Sequence, residues 1–459
     1  MPNRGIGKLT ILRKMADPTE IDVDLTVQEI LLAASQHDIP KLRQLIRSNE
    51  AHGNPANVKD PETGYSPLHA AIAACEPDEE EEQGGKSGDT NGVQTNGGKK
   101  DSETESTVQS AVETVKFLLE EGAIWNDLDL NDETPGCIAR RLGFMELYGL
   151  IVDAGVRAEL LLSRLDGYEQ LSDDEMDEDE EQEQDQRQED EAVPGSAAAQ
   201  TTEDDDAAPQ LVDATAATAS TTAPAEAPST SAEQSAETDP NVTNSRYLTS
   251  NLTFSSDRLL DSDQNGVMMA WESDIMAKSA SILLPTPGLR VLNVGHGMGI
   301  VDTFLQSHSP SSHHIIEAHP SVVAEMKRKG WHEKPGVVIH EGKWQDILPG
   351  LVAEGVMFDA IYYDTFAESY ADFREFFQEQ VIGLLEQDGR WSFFNGMGAD
   401  RQISYDVYQK VVEMDLFEGG FDVEWEAIKV PKLDGEWNGV RRPYWSIDEY
   451  RLPLCKYMD

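Results

Sequence analysis

The sequence is poor in positive charge. Only 36 of its 459 residues are lysine or arginine, against 86 aspartates and glutamates, so the formal net charge is −50. Such a field repels nucleic acid and anionic membrane surfaces and attracts basic partners. We therefore expect a basic protein partner, and direct contact with neither nucleic acid nor membrane.

Cysteine is also scarce, and long apolar runs are missing. Cys75, Cys137 and Cys455 are scattered without a Cys-x-x-Cys pair, which indicates neither a zinc site nor a disulfide framework and fits a reducing compartment. The basic N-terminus lacks the apolar core and cleavage site of a signal peptide. No apolar run approaches the ~20 residues that a membrane span requires. We expect a soluble monomer of the cytoplasm or nucleus.

Two stretches nearly devoid of apolar side chains divide the chain. Residues 76–108 predict a disordered insertion, and residues 166–243, an acidic block followed by an Ala/Thr/Ser/Pro-rich tract, predict a disordered linker. We interpret both as spacers that add solubilising charge. After an N-terminal tail, 1–24, they leave two regions that we expect to fold, 25–165 and 244–459.

The first of these regions has the pattern of helix pairs. Apolar residues recur with a 3.6-residue period through 26–46. Residues 63–73, TGYSPLHAAIA, resemble the ankyrin signature T-P-L-H-x-A, and 111–123 fit the outer helix of that repeat. Residues 131–155 fit a partly degenerate second repeat. We expect two to three ankyrin-like repeats that recognise protein, with His69 as a hydrogen-bonded structural residue.

The second region alternates apolar, strand-like runs with amphipathic stretches. The candidate strands are residues 289–294, 313–318, 336–341, 358–364 and 389–395. Such alternation predicts a doubly wound α/β sheet with helices on both faces. The tail, 421–431 and 441–454, can add a final hairpin.

A strand breaks into a glycine-rich turn at 291–303, VLNVGHGMGIVDT. Gly295, Gly297 and Gly299 form G-x-G-x-G, whereas the third glycine of a dinucleotide fingerprint comes one residue later. Glu317 ends the next strand, where a carboxylate can accept both ribose hydroxyls. The early glycine and the ribose-binding acid, without a phosphate cradle, favour S-adenosylmethionine. A tight strand–helix turn without a ligand is the alternative.

Two acidic residues occupy positions of chemical interest. Asp364 follows an apolar strand, so it should lie at the sheet edge where open α/β sheets bind ligands; it could instead cap the next helix. Glu272 lies in an apolar stripe over 265–283, which predicts an amphipathic helix. Met268 and Met276 belong to the same stripe. A buried acid there is costly unless it is paired with a cation.

Five collinear blocks of the second region carry a family resemblance: VMMAWESDIM, RVLNVGHGMGI, HIIEAHP, GKWQDI and FDAIYYDTF. Together they resemble guanidinoacetate methyltransferase, a class I, S-adenosylmethionine-dependent fold. The pairing with ankyrin-like repeats resembles the fungal type IV protein arginine methyltransferases, which modify the internal (δ, or N5) nitrogen of arginine. The resemblance implies S-adenosylmethionine as cofactor and an arginine-containing protein as acceptor, with ribosomal proteins among the candidates.

The resemblance also implies the residues of the site. Those matched to cofactor positions are Tyr247, Met268, Met276, His296, Gly297, Met298, Gly299, Ile300, Val301, Glu317, Ala318, His319, Gly342, Lys343 and Asp364. Glu272 and Asp364 match the two carboxylates that grip the guanidino group. The sequence departs from the family at His296, commonly phenylalanine, and at Lys343, commonly apolar. Both departures bear on contacts with adenine.

The reaction implied is methyl transfer from a sulfonium to a guanidino nitrogen. A guanidinium is a poor nucleophile because its lone pair is delocalised and the group is protonated. Two carboxylates can fix its plane through paired N–H bonds, and one can accept the proton. Our hypothesis is that Asp364 is the proton acceptor and Glu272 the orienting partner.

Two alternatives stay open, and a third is disfavoured. A free guanidino metabolite could be the acceptor, or the domain could only sense S-adenosylmethionine as a non-catalytic scaffold. A nicotinamide oxidoreductase is disfavoured by the glycine spacing.

Overall fold

The structure is a computed structural model of the 459-residue chain. It describes residues 18–48, 54–76, 97–165 and 242–458. The predicted linker lies outside these residues from 166 to 241, as do positions 1–17 of the predicted tail and 77–96 of the predicted insertion. The described residues on either side of 166–241 form one compact unit.

The first region is helical in its described part. Its helices are α1 (Pro18–Ser35), α2 (Ile39–Ser48), α3 (Pro67–Ala73), α4 (Gly97–Glu120), α5 (Pro135–Arg141) and α6 (Met145–Leu165), with a 3₁₀ turn at Pro55–Asn57. They bury one apolar core, in which Leu42, Leu68, Leu118 and Ile151 are fully enclosed.

Helix α4 corrects the prediction of a disordered insertion over 76–108. The helix begins at Gly97, so the prediction is wrong for residues 97–108. These residues contain no proline, and extending a helix that already exists costs far less than starting one. The packed half of α4, where Val115 and Leu118 are buried, therefore propagates backwards into a polar sequence.

Helices α3 and α5 begin alike. Pro67 and Pro135 take the first helical position, where a missing N–H costs nothing. Before α5, the hydroxyl of Thr134 accepts the backbone N–H of Cys137 at 3.2 Å. The two helix starts thus share a local chemistry that repeats along the chain.

His69 joins these two helix starts. The backbone N–H of Ser66 donates to Nδ1 of His69 at 3.1 Å, and Nε2 lies 3.1 Å from the carbonyl oxygen of Glu133. The ring is fully buried, and burial lowers the pKa of His69. Its bonds give the histidine the structural role that we predicted.

The second region opens with α7 (Asn244–Leu248) and a small antiparallel sheet. The strands of that sheet are β1 (Thr253–Phe254), β2 (Arg258–Leu260) and β3 (Gly266–Met269). A 3₁₀ turn, Ala270–Glu272, leads into α8 (Ser273–Leu283). The prediction of one helix over 265–283 is therefore wrong for residues 265–272, and Met268 lies on a strand. A short apolar run such as GVMM does not distinguish strand from helix by periodicity.

The central sheet has seven strands in the described chain. They are β4 (Arg290–Val294), β5 (Ser312–Glu317), β6 (Val337–Glu341), β7 (Phe358–Tyr363), β8 (Leu385–Phe393), β9 (Phe421–Lys429) and β10 (Glu449–Tyr457). Their spatial order is β6-β5-β4-β7-β8-β10-β9. Strand β10 runs antiparallel to both neighbours, and the other pairs are parallel. The predicted final hairpin, β9 and β10, is confirmed.

Helices cover both faces of this sheet. They are α9 (Ile300–Ser307), α10 (Pro320–Arg328), α11 (Trp344–Ala353), α12 (Tyr370–Glu375), α13 (Ile382–Leu384) and α14 (Gln402–Glu418), with a 3₁₀ turn at Trp331–Glu333 and a π-helical stretch at Phe376–Val381. Along β7, Ala360 and Tyr362 belong to one buried cluster, whereas Ile361 and Tyr363 belong to another. The sheet is therefore doubly wound, as the alternation predicted.

Helix α14 connects the second region to the first. Its residues Ile403, Val407 and Val411 are buried in the core of the helical region. Nearby, the hydroxyl of Tyr148 donates to Asp406 at 2.5 Å. The two regions thus share an apolar core. Among the described helices, none is long and apolar enough to cross a membrane.

Candidate active site

A crevice opens at the carboxyl ends of β4, β5 and β7. This is the point where the order of the sheet reverses, and open α/β sheets bind ligands there. The crevice encloses about 570 Å³ when the solvent space at its mouth is included. Its walls are Asn244, Tyr247, Leu248, Val267, Met268, Val294, Gly295, Gly297, Ile316, Glu317, Ala318, Gly342, Lys343, Trp344, Asp364, Thr365, Phe366 and Glu368.

The glycine turn lets two strand ends approach each other. Gly295 has φ +95°, and a Cβ there would lie 1.9 Å from the carbonyl oxygen of Asp364. At Gly297, with φ +54°, a Cβ would lie 2.8 Å from Cε of Met268. Gly295 therefore needs glycine for backbone conformation and for space, whereas Gly297 needs it mainly for its positive φ, because the end of the Met268 side chain can move aside.

Glu317 holds that turn in place. One carboxylate oxygen accepts the backbone N–H of His296 at 2.9 Å and of Gly297 at 3.3 Å, and the other accepts the N–H of His319 at 2.7 Å. A carboxylate offers about four acceptor positions. The acid thus ties β5 to the loop and keeps one acceptor position for a ligand hydroxyl.

The side chain of His296 turns away from the crevice. Its Nδ1 lies 2.6 Å from Oδ2 of Asp302, whose Oδ1 contacts His313 at 2.9 Å and Asn293 at 2.8 Å. Asp302 is fully buried. Burial by itself would raise the pKa of Asp302, but the two histidines hold that pKa well below its usual range. Sequence reasoning missed this network, although Asp302 stands in the turn motif itself.

The residues predicted to hold the cofactor fall into two groups. Those that line the crevice are Tyr247, Met268, Gly297, Glu317, Ala318, Gly342, Lys343 and Asp364. Those outside its lining are Met276, His296, Met298, Gly299, Ile300, Val301 and His319. Met276 and Val301 are completely buried in the core beneath the crevice.

His319 does not line the crevice itself but contacts Tyr247, which does. Its Nε2 lies 3.1 Å from the carbonyl oxygen of Tyr247, and the two rings are 4.9 Å apart. Its Nδ1 accepts the N–H of Ser321 at the start of α10. These contacts fix Tyr247, which covers the crevice from α7.

Glu272 is only 4% exposed, at the end of the 3₁₀ turn before α8. The hydroxyl of Tyr444 donates to its Oε1. Burial, and next the charge of Asp364, raise the pKa of Glu272 to about 8, although the bond from Tyr444 opposes the shift. The acid therefore lies close enough to Asp364 for the two charges to repel.

Asp364 directly follows β7, and one of its carboxylate oxygens is unbonded. Its buried Oδ2 has no hydrogen-bond partner among the described residues. Burial, and next the charge of Asp302, raise the pKa of Asp364 to about 7. The next helix, α12, is capped by Ser369, whose hydroxyl accepts the N–H of Asp372, so Asp364 does not serve as that cap.

A second cavity opens beside the crevice, and the two share Phe366. Its lining also includes Gly266, Asp400, Arg442 and Tyr444. Sequence reasoning missed Tyr444, which lies in the segment between β9 and β10. Its position offered no signal, because Tyr444 is 172 residues from the acid that it contacts.

These features together define a class of protein. A sheet with one reversed strand, a glycine turn after β4, a carboxylate at the end of β5 and an acid at the end of β7 make a class I, S-adenosylmethionine-dependent methyltransferase. The dinucleotide-binding order has no such reversed strand.

Comparisons with known proteins narrow the class. Residues 247–424 match the family described as guanidinoacetate N-methyltransferase. The protein arginine N-methyltransferase 2 of Emericella nidulans is 77% identical over 446 residues, which are 97% of this chain and 100% of that protein. That of Gibberella zeae is 43% identical over 441 residues, 92% of this chain and 90% of that protein. The chain belongs to the protein arginine N-methyltransferase 2 family.

Among solved structures, M. jannaschii TYW2 in complex with AdoMet is similar over 46% of this chain and 87% of that chain. The two are 11% identical, and the TM-score is 0.29.

Proposed function

We propose that this chain transfers a methyl group from S-adenosylmethionine to the internal (δ, or N5) nitrogen of arginine residues in proteins. The observation that carries the proposal is the pair of buried acids, Glu272 and Asp364. Asp364 lines the crevice, and Glu272 lies outside its lining, near enough to Asp364 for the two charges to interact. Within the described residues, no lysine or arginine forms an ion pair with either acid. A buried carboxylate without a cation is costly, so the pair is suited to a cationic ligand.

The residues of the crevice fit a nucleoside with a positively charged sulfur. Glu317 would accept a ribose hydroxyl, and the apolar side chains of Met268, Ile316 and Trp344 would face the base and the thioether carbons. When bound, S-adenosylmethionine supplies a methyl group activated on a sulfonium centre. Gly297 has no side chain, which keeps the part of the crevice beside Met268 open.

The hydrogen bonds within the protein favour different roles for the two acids. Tyr444 donates to Oε1 of Glu272, and the Met269 backbone also bonds this carboxylate, so the group is fixed where it can accept a guanidinium N–H. Asp364 keeps Oδ2 unbonded, so that oxygen can receive a proton. A guanidinium between the acids would lower the pKa of both, because an opposite charge favours the ionised form. We propose Glu272 as the orienting acid and Asp364 as the proton acceptor.

The acceptor proposed is a basic protein, with ribosomal proteins among the candidates. A net charge of −50 would draw such a protein towards the enzyme at low ionic strength. The internal nitrogen is proposed from the resemblance to the fungal type IV enzymes. We also propose that the helical region, 25–165, consists of ankyrin-like repeats that bind the acceptor.

The helical region shares an apolar core with α14, so a test of its role in acceptor binding has to keep that core intact. Deleting 25–165 would expose Ile403, Val407 and Val411 on α14 and would destabilise the catalytic region. Substitutions of exposed side chains on the helical region avoid this loss. These substitutions should raise the KM for protein acceptors and leave the affinity for the cofactor unchanged.

The first test is methylation of a basic, arginine-containing ribosomal protein, with fragmentation mass spectrometry to distinguish internal from terminal nitrogens. Asp364→Asn and Glu272→Gln should each lower turnover by about 100-fold or more, because the first loses the proton acceptor and the second loses the orienting carboxylate. Binding of S-adenosylhomocysteine should persist in both variants.

Asp274→Asn is the matched control for this test, because Asp274 is an exposed acid two residues from Glu272. It should retain wild-type turnover. Methyl transfer to free guanidinoacetate but to no protein would replace the proposal with a metabolite enzyme. Normal turnover in both acid variants would remove the assigned roles.

A further inference from the structure

Tyr444 lies where the second cavity meets the buried acid. Its ring forms part of the cavity wall, and its hydroxyl donates to Oε1 of Glu272. One side chain therefore touches both the space beside the crevice and a carboxylate assigned to guanidinium binding.

The surroundings hold the Tyr444 ring firmly. Its centroid is 4.9 Å from that of Trp437, in an edge-to-face arrangement, and 6.1 Å from that of Trp271. At Gly266 on β3, a Cβ would lie 2.9 Å from the Tyr444 ring. The ring thus packs against β3, and only glycine leaves room for it.

The segment that carries Tyr444 is also fixed to the small sheet. The backbone N–H of Arg441 donates to the carbonyl of Gln264 at 2.8 Å. The guanidinium of Arg258 donates to the carbonyl of Asn438 at 2.7 Å. These two bonds lie on either side of the turn before Tyr444, so the ring is placed by backbone contacts as well as by packing.

We propose that Tyr444 is a positioning residue that orients Glu272 towards the guanidinium and forms the wall against which the acceptor arginine lies. The proposal rests on the proposed function, since it concerns recognition of the same guanidinium. It extends that function to a residue outside the five family-like sequence blocks.

The hydroxyl has a second effect, on the charge of Glu272. A hydrogen bond donated to the ionised carboxylate favours that form, and the Tyr444 bond lowers the pKa of Glu272 accordingly. The other titratable groups that interact with Glu272 are Asp364 and Tyr362, at the end of β7, and Tyr450 on β10. None of these replaces the bond that Tyr444 makes.

The test is Tyr444→Phe, which keeps the ring and removes the hydroxyl. We expect kcat/KM for a basic, arginine-containing protein acceptor to fall by about 10-fold to 100-fold, the usual effect of losing a hydrogen bond to a charged group. The affinity of an arginine-containing peptide, measured by calorimetry without methyl donor, should fall similarly. The acidic limb of the pH profile should move to higher pH, because Glu272 then ionises less readily. Affinity for S-adenosylhomocysteine should not change.

Tyr457→Phe is the matched control, because the Tyr457 hydroxyl donates only to backbone carbonyls, those of Ile382 and Leu385, at the far side of the sheet. It should leave every readout at the wild-type value. In a Glu272→Gln background, Tyr444→Phe should produce no further shift of the pH profile, since the two residues act as one unit.

The outcomes separate the two proposals. If Tyr444→Phe turns over at the wild-type rate, the proposed role of Tyr444 is overturned and the proposed function is not affected. A full additional pH shift in the Glu272→Gln background also overturns that role, because the tyrosine would then act elsewhere. A wild-type protein that methylates no arginine acceptor overturns the proposed function, and this proposal with it.

Discussion

Asp302 and Asp364 lie on either side of the same glycine turn and differ in their bonds. Asp302 is fully buried, and both of its oxygens are bonded, to His296, His313 and Asn293. Asp364 has a buried oxygen, Oδ2, that finds no partner in the described chain. The pKa of Asp302 is held low, whereas that of Asp364 is raised to about 7.

The comparison shows that burial alone does not mark a functional acid. Desolvation raises the pKa of both carboxyls, and only the supply of donors separates them. Asp302 has its donors within the protein and so belongs to the framework. Asp364, together with Glu272, lacks a cation, so these acids carry a cost that a guanidinium would offset.

The largest effect expected from this contrast is on stability. Asp302→Asn should lower the free energy of unfolding by about 3 kcal/mol or more, because three buried side chains contact this carboxylate and each buried donor left without an acceptor costs about 1–3 kcal/mol. The amide would turn a donor towards groups that need an acceptor. Denaturant unfolding followed by tryptophan fluorescence measures the change.

For this prediction the exposed Asp274→Asn is again the control, and it should unfold at nearly the wild-type denaturant concentration. If Asp302→Asn matched it, Asp302 would not be part of the framework, and the contrast with Asp364 would fail.

The second expected effect is a gain in the free energy of unfolding instead of a loss. The pKa of Glu272 rises from 4.5 to about 8 on folding, so the folded state keeps this proton longer than the unfolded state. The wild-type protein therefore loses stability as pH rises from about 4.5 to 8. Glu272→Gln removes that loss, and at pH 8.5 the variant should be more stable than the wild type by a few kcal/mol.

Unfolding at pH 5.5 and at pH 8.5 tests this sign. The advantage of Glu272→Gln should be small at the lower pH and largest at the higher one. Asp302→Asn should be destabilised at both. A Glu272→Gln variant that is less stable than the wild type at pH 8.5 would contradict the view that this acid is strained in the free enzyme.

Sequence reasoning reached the features that depend on local patterns. Apolar runs predicted β4 to β8, and the rule that ligands bind at strand ends placed Glu317 and Asp364 at the crevice. The same reasoning missed the strand at Met268, because a four-residue apolar run has no decisive period.

The rest of the site depends on partners distant in the chain. The bond between Tyr444 and Glu272 joins residues that only the hairpin of β9 and β10 brings together. His296 stands in the cofactor motif, yet its side chain contacts Asp302 because that buried acid needs donors. Neither contact follows from spacing in the sequence. Similarly, no pattern in α14 showed that it completes the core of the helical region.

The smallest effect expected is in the protons exchanged when an acceptor binds. At pH 7.5, Glu272, with a pKa of about 8, is mostly protonated, and Asp364, with a pKa of about 7, is partly so. A guanidinium favours the ionised form of both, so binding should release about one proton, and affinity should rise by up to about 1.4 kcal/mol per pH unit near neutrality.

Calorimetry of an arginine-containing basic peptide, in phosphate and in Tris, measures this release through the difference in buffer ionisation enthalpy. Glu272→Gln should release fewer protons, whereas Asp274→Asn, which changes an exposed acid, should leave the number unchanged. Equal binding enthalpies in the two buffers would mean that both acids are already ionised in the free enzyme, and the distinction between the bonded and the unbonded acid would then carry no functional consequence.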